Sequence, residues 1–87
     1  MNAENWCVYL ILCDGGSLYC GISNHPAARF QAHRSGKGAK YTRIRKPLAM
    51  RVVTSGLTRS GALQQEAAVK KLPTEQKHLL WAQGEPV

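Results

Sequence analysis

The chain has 87 residues, 44% of them hydrophobic and 20% charged, with two Trp, three Tyr and one Phe, a composition that excludes a disordered segment. Its length leaves room for a single domain, expected to span 1–87 with its core over about 6–82 and a short tail at 83–87. Twelve Lys and Arg against five Asp and Glu give a formal charge of +7, which points to an anionic partner, either nucleic acid or an acidic membrane surface.

In chain order, Trp6–Cys13 is rich in β-branched and aromatic residues and reads as a strand buried on both faces. Asp14-Gly-Gly-Ser17 is a turn signal, and Leu18–Ile22 reads as the returning strand of a hairpin. Pro26 suits the first position of a helix capped by Asn24 or His25, running from Ala27 to about Ser35 and stopping at Gly36. Residues 35–40 read as a flexible basic loop, and 41–45 as either a short helix or an irregular lead-in to Pro47. Leu48–Thr54 is expected as a third strand. Ser60 is expected to cap a helix from about Ala62 to Leu72, which Pro73 ends. A last helix, about Glu75–Trp81, begins near Thr74, and the chain from Gly84 is tail. The order β-β-α-(α)-β-α-α predicts an α+β fold, a small antiparallel sheet of about three strands flanked by helices.

The charge is unevenly spread. Between Asp14 and Glu66 there is no carboxylate, yet nine Lys and Arg lie there, so this stretch carries +9 and the two ends together −2. A solvated basic surface that aids solubility would mix its signs more evenly. The longest apolar run, Trp6–Cys13, is too short to span a bilayer, and no cleavage site follows it. Gly36, Gly38 and Pro47 interrupt the basic residues, so they form no amphipathic membrane helix. Nucleic acid is therefore the expected partner, with no membrane. Cys7, Cys13 and Cys20 include no C-x-x-C pair and suit a reduced, cytoplasmic chain with no disulfide partner.

Val8-Tyr9-Leu10 is followed ten residues later by Tyr19-Cys20-Gly21, then by Arg29, His33 and a late Glu66. This ordered set resembles the GIY-YIG endonuclease family, named for two tripeptides about ten residues apart on a β-hairpin. Both tyrosines and the second glycine are kept. The Gly36–Arg43 run (GKGAKYTR) is similar to the family's small stand-alone bacterial branch. The resemblance extends from residue 6 to about 80. It implies a metal-dependent hydrolysis of phosphodiester bonds, with Glu66 as metal ligand, Arg29 on the phosphate, and Tyr9, Tyr19 and His33 as catalytic groups.

The residues support that chemistry on their own terms. Glu66 is the one acid within the pattern, and a lone carboxylate suits Mg²⁺ (or Mn²⁺), which keeps waters and takes substrate phosphate as a ligand. Its plainer alternative is an i,i+4 pair with Lys70. Arg29 lies four residues before His33, so both face the same way on a helix. An unperturbed Tyr ionises near 10 and must be acidified by Arg and metal, or relay its proton onward. The general base stays open among Tyr9, Tyr19 and His33. A two-residue Gly15-Gly16 turn would put the two tyrosines on opposite faces; a three-residue loop, Gly15-Gly16-Ser17, puts them on one.

With one site and no reading domain, a monomer would nick duplex or cut single strands. Lys37, Lys40, Arg43, Arg45 and Lys46 would track a backbone, with Tyr41 as a stacking surface. Single-stranded or structured DNA is the favoured substrate, with RNA also open, in a DNA repair or recombination role. The alternative from another class is a non-catalytic nucleic-acid-binding module on the same fold.

Overall fold

The computed structural model describes residues 5–38, 40 and 45–87. Strand β1 (Trp6–Cys13) turns into β2 (Leu18–Ser23), and helix α1 (Pro26–Arg34) follows. After it come β3 (Pro47–Leu57), α2 (Arg59–Lys70), α3 (Thr74–Gln83) and a two-residue strand β4 (Glu85–Pro86). The sheet order is β2-β1-β3-β4, antiparallel throughout. This is the expected α+β architecture.

β1 is central and, as its composition predicts, buried on both faces. Its even-numbered side chains, Val8 and Leu10, pack with Cys20 of β2 and Ala62 and Val69 of α2, and with Leu80 and Trp81 of α3. Its odd-numbered side chains, Tyr9, Ile11 and Cys13, pack with Met50 of β3, Tyr19 of β2 and Phe30 of α1. Two helices thus cover one face of the sheet and α1 covers the other. All three cysteines serve as small buried hydrophobes.

The hairpin loop has three residues, but one position earlier than expected. Leu12 pairs with Leu18, and the Cys13 amide donates to the Ser17 carbonyl at 2.9 Å, leaving Asp14-Gly15-Gly16 as the loop. Gly15 and Gly16 take φ of +93° and +91°, which explains why glycine occupies both. The parity is that of the three-residue prediction. Tyr9 pairs with Gly21 and Ile11 with Tyr19, so both tyrosines lie on the odd face.

Three boundaries correct the sequence reading. α2 starts at Arg59, capped by Thr58 rather than Ser60: the Thr58 hydroxyl accepts the Gly61 amide at 3.0 Å. Thr58 is the first residue after β3, which runs three residues beyond Thr54, so the cap falls where the strand lets go. The N-cap of α1 is His25, one of the two residues expected there, but it makes no side-chain cap bond; the chain is turned by the buried Ser23 hydroxyl, which accepts the His25 amide at 2.9 Å. The tail expected from Gly84 is partly a fourth strand: Arg51 pairs with Pro86 and Val52 with Glu85. A two-residue strand containing proline has no periodicity to read, and α3 alone delivers it to the edge of β3.

Residues 36–38 were expected in a flexible loop and are instead held. The Lys37 amide bonds the Ala32 carbonyl at 2.9 Å and the Gly36 amide that of His33 at 3.2 Å, with Gly36 at φ +80°. This pattern is a Schellman cap closing α1. The expectations for 41–44 lie outside the described residues.

Candidate active site

The odd face of the sheet brings together four of the five expected catalytic residues. The Tyr9 hydroxyl and His33 Nε2 are hydrogen-bonded at 3.0 Å, both residues being 1% exposed. Tyr19 meets the His33 ring edge-on, with centroids 5.5 Å apart. Arg29, one turn before His33 on α1, lies close enough to the Tyr9 hydroxyl to favour its ionised form. The i,i+4 spacing on α1 therefore does what it predicts: both side chains converge on one phenol.

Two glycines make this approach possible. Gly21 lies under the Tyr9 ring, and a Cβ there would collide with the phenol oxygen. Gly38 lies against His33, where a Cβ would meet Nδ1. Gly21 belongs to the expected motif, whereas Gly38 had been read only as loop. Its contact comes from the Schellman turn folding the chain back over α1.

Burial decides the protonation states. It pushes the Tyr9 hydroxyl up to about 12, outweighing the nearby Arg29, which pulls it down. Of the two routes open to a tyrosine, arginine alone does not acidify Tyr9. Burial, with Arg29 second, lowers His33 below its usual 6.5, so at neutral pH its imidazole is uncharged. A neutral imidazole beside a protonated phenol can accept that phenol's proton. Tyr19 is only half-buried and is the tyrosine nearer solvent.

Glu66 stands on α2, across the sheet from α1. Its carboxylate pairs with Lys70 at 3.4 Å, the i,i+4 contact that spacing predicts, and is 19% exposed. It also faces Cys20 of β2: that thiol is pushed up to about 11, first by burial and then by the Glu66 charge. Glu66 therefore reaches the edge strand β2 from the even face, while Arg29 reaches it from the odd face. Among the described residues, no three His, Cys, Asp or Glu side chains group as metal ligands. A single carboxylate fits Mg²⁺ or Mn²⁺, which retain waters, and does not fit a closed zinc site.

Lys37, Lys40, Arg45 and Lys46 are exposed; Tyr41 and Arg43 fall outside the described residues. At the end of the sheet away from the hairpin, Trp6, Ile22, Ser23, Asn24, Arg29 and Arg59 line a pocket of about 280 Å³. Trp6 and Arg59 carry no sequence signal for a site, being far apart in the chain. The pairing of Trp6 with Leu57 brings them together.

The sequence matches the GIY-YIG catalytic domain over residues 5–78. The chain belongs to the GIY-YIG family. It is 59% identical over 85 residues to a UPF0213 protein of Neisseria meningitidis, covering 98% of this chain and 93% of that one. A UPF0213 protein of Cupriavidus pinatubonensis is 47% identical over 78 residues (88% and 87% covered), and one of Bacillus cereus 41% over 86 (99% and 90%). No solved structure matches. GIY-YIG domains are nuclease domains, which implies a nucleic-acid substrate and, in general, a divalent metal. No helix among the described residues is long and apolar enough to cross a membrane.

Proposed function

We propose that the protein is a Mg²⁺- or Mn²⁺-dependent DNA endonuclease that cuts single-stranded or structured DNA. The observation that carries this reading is the buried Tyr9–His33 hydrogen bond under Arg29, beside a solvent-side Tyr19. In this reading the protein acts as a monomer and cuts one strand, in repair or recombination. Three buried free thiols suit the reducing cytoplasm.

Tyr19, on the solvent side, meets the attacking water. Tyr9 keeps its proton at neutral pH and is a poor base alone, but the Arg29 guanidinium favours negative charge on its oxygen during transfer. As water gives a proton to the Tyr19 oxygen, Tyr19 passes its own to Tyr9 and Tyr9 its own to His33, which ends as imidazolium. Neither phenol has to accumulate full negative charge. Arg29 presents its guanidinium to a non-bridging phosphate oxygen. Glu66 would hold the divalent cation, which when bound neutralises charge on the phosphate and the leaving oxygen.

The test is a nicking assay on labelled single-stranded and duplex DNA, with RNA as a further arm, with and without Mg²⁺ or Mn²⁺. Wild type should cut only with metal, and Glu66→Ala and Arg29→Ala should each lose about 100-fold or more. Wild type cutting no better than these variants while still binding would refute the enzyme and leave a binding module.

A further inference from the structure

The pocket formed by Trp6, Ile22, Ser23, Asn24, Arg29 and Arg59 is not needed for the chemistry above, yet it shares Arg29 with it. Among the described residues, its walls include two arginines and no carboxylate. Both covering layers contribute: Arg29 lies one turn into α1, and Arg59 is the first residue of α2. These two helices therefore begin at the same end of the sheet, and their positive ends add to the guanidinium charge. The pocket is small, near the roughly 300 Å³ lower bound of ligand clefts, which suits one nucleotide unit.

Arg59 is placed to grip an oxyanion through two of its oxygens. Its guanidinium carbon sits over the Trp6 ring, 5.6 Å from the centroid, and Trp6 is itself packed against the even-face core. Stacking on an aromatic face keeps the N–H edge of a guanidinium free for a fork onto phosphate oxygens, and reduces the ordering cost of the long side chain. Arg59 also carries none of the capping of α2, which Thr58 supplies.

We propose that this pocket is a phosphate-binding subsite for the nucleotide next to the cut, with Arg59 gripping its phosphate and Trp6 supporting Arg59. The subsite rests on the nuclease reading for its place beside the scissile bond. A strand whose scissile phosphate meets Arg29 delivers its neighbouring phosphate to Arg59 across the same pocket. Asn24 and Ser23, at the end of β2, add polar edges to the wall.

The experiment measures binding without cleavage. In a Trp81→Phe background, emission reports Trp6, and a short oligothymidylate is titrated in EDTA at several salt concentrations. Binding should change Trp6 emission. Arg59→Ala should weaken affinity about tenfold and reduce the salt slope by about 0.7, the loss of one phosphate contact to a single strand. Arg59→Lys should recover the slope but only part of the affinity, because it keeps the charge and loses the fork. A merely structural role for Arg59 would leave the slope unchanged. An Arg59→Ala protein with wild-type affinity and slope, or Trp6 emission blind to the oligonucleotide, overturns the subsite. Cleavage is scored separately with Mg²⁺: a protein that binds through Arg59 without cutting refutes the nuclease reading and leaves the subsite standing.

Discussion

Alternate residues of one strand meet two different kinds of interior. On the even face, Val8 and Leu10 close on Cys20, Ala62 and Val69, so stabilisation there comes from apolar area and tight packing. On the odd face, Tyr9 and Ile11 close on Met50, but the same layer contains a buried hydroxyl and a buried imidazole bonded to each other. An apolar face tolerates changes that conserve volume, whereas a buried polar pair tolerates little, because removing one partner leaves the other unsatisfied. The contrast separates a face packed purely for stability from the face that holds the candidate catalytic groups. Gly21 and Gly38 mark the second part, since each yields its side-chain volume to one of the bonded rings.

The largest break in this contrast is on the even face. Leu10 is fully buried, and Leu10→Ala should cost about 2–5 kcal/mol, read as a large drop in the urea midpoint with an unchanged slope. Any loss of cutting should then follow the unfolded fraction and disappear at low temperature. Tyr9→Phe sharpens the comparison from the other side. It conserves volume and should cost only about 1–2 kcal/mol by urea unfolding, yet slow cutting by about 100-fold or more in fully folded protein. A Tyr9→Phe protein that cuts normally would remove Tyr9 from the relay.

The smallest effects are in pH. On the acid side only the odd face contributes a shifted group: unfolded His33 takes a proton near 6.5, while the folded imidazole resists it until lower pH. The unfolded state then binds more protons, so stability falls as pH drops below 6.5. For the same reason the acid limb of the cutting rate should lie below 6.5. On the alkaline side both faces contribute. Cys20 on the even face ionises at about 11 instead of 9, and Tyr9 on the odd face at about 12 instead of 10. Both hold their protons longer when folded, so stability should fall as pH rises from about 9 to 12. Burial also raises the thiols of Cys7 and Cys13, so Cys20→Ala should make that fall shallower without moving its onset, as followed by thermal unfolding across pH; an unchanged steepness would rule out the Cys20 contribution.

Much of the molecule was readable along the chain because it rests on local rules. The apolar run of β1, the Gly-rich turn, Pro26 and Pro73 at helix boundaries, and the spacing of Arg29 and His33 each act within a few residues. The motif order, Tyr9, Tyr19, Arg29, His33 and Glu66, was equally visible, and four of these do assemble. The cap at Thr58 and the strand at Glu85–Pro86 were missed because each depends on where a neighbouring strand runs.

Residue type and spacing were thus enough to give the element order, the basic charge and the candidate reactive groups. They could not establish protonation or which distant groups share a cavity. Acidification and a proton relay were both open for the tyrosines; at Tyr9 burial raises the hydroxyl, because desolvation depends on what every other element covers. Trp6 and Arg59 share a pocket through the register of β1 against β3, a long-range pairing that no local pattern encodes. The +7 charge announced an anion; the packing of two helices at one end of the sheet determines where two of its arginines meet.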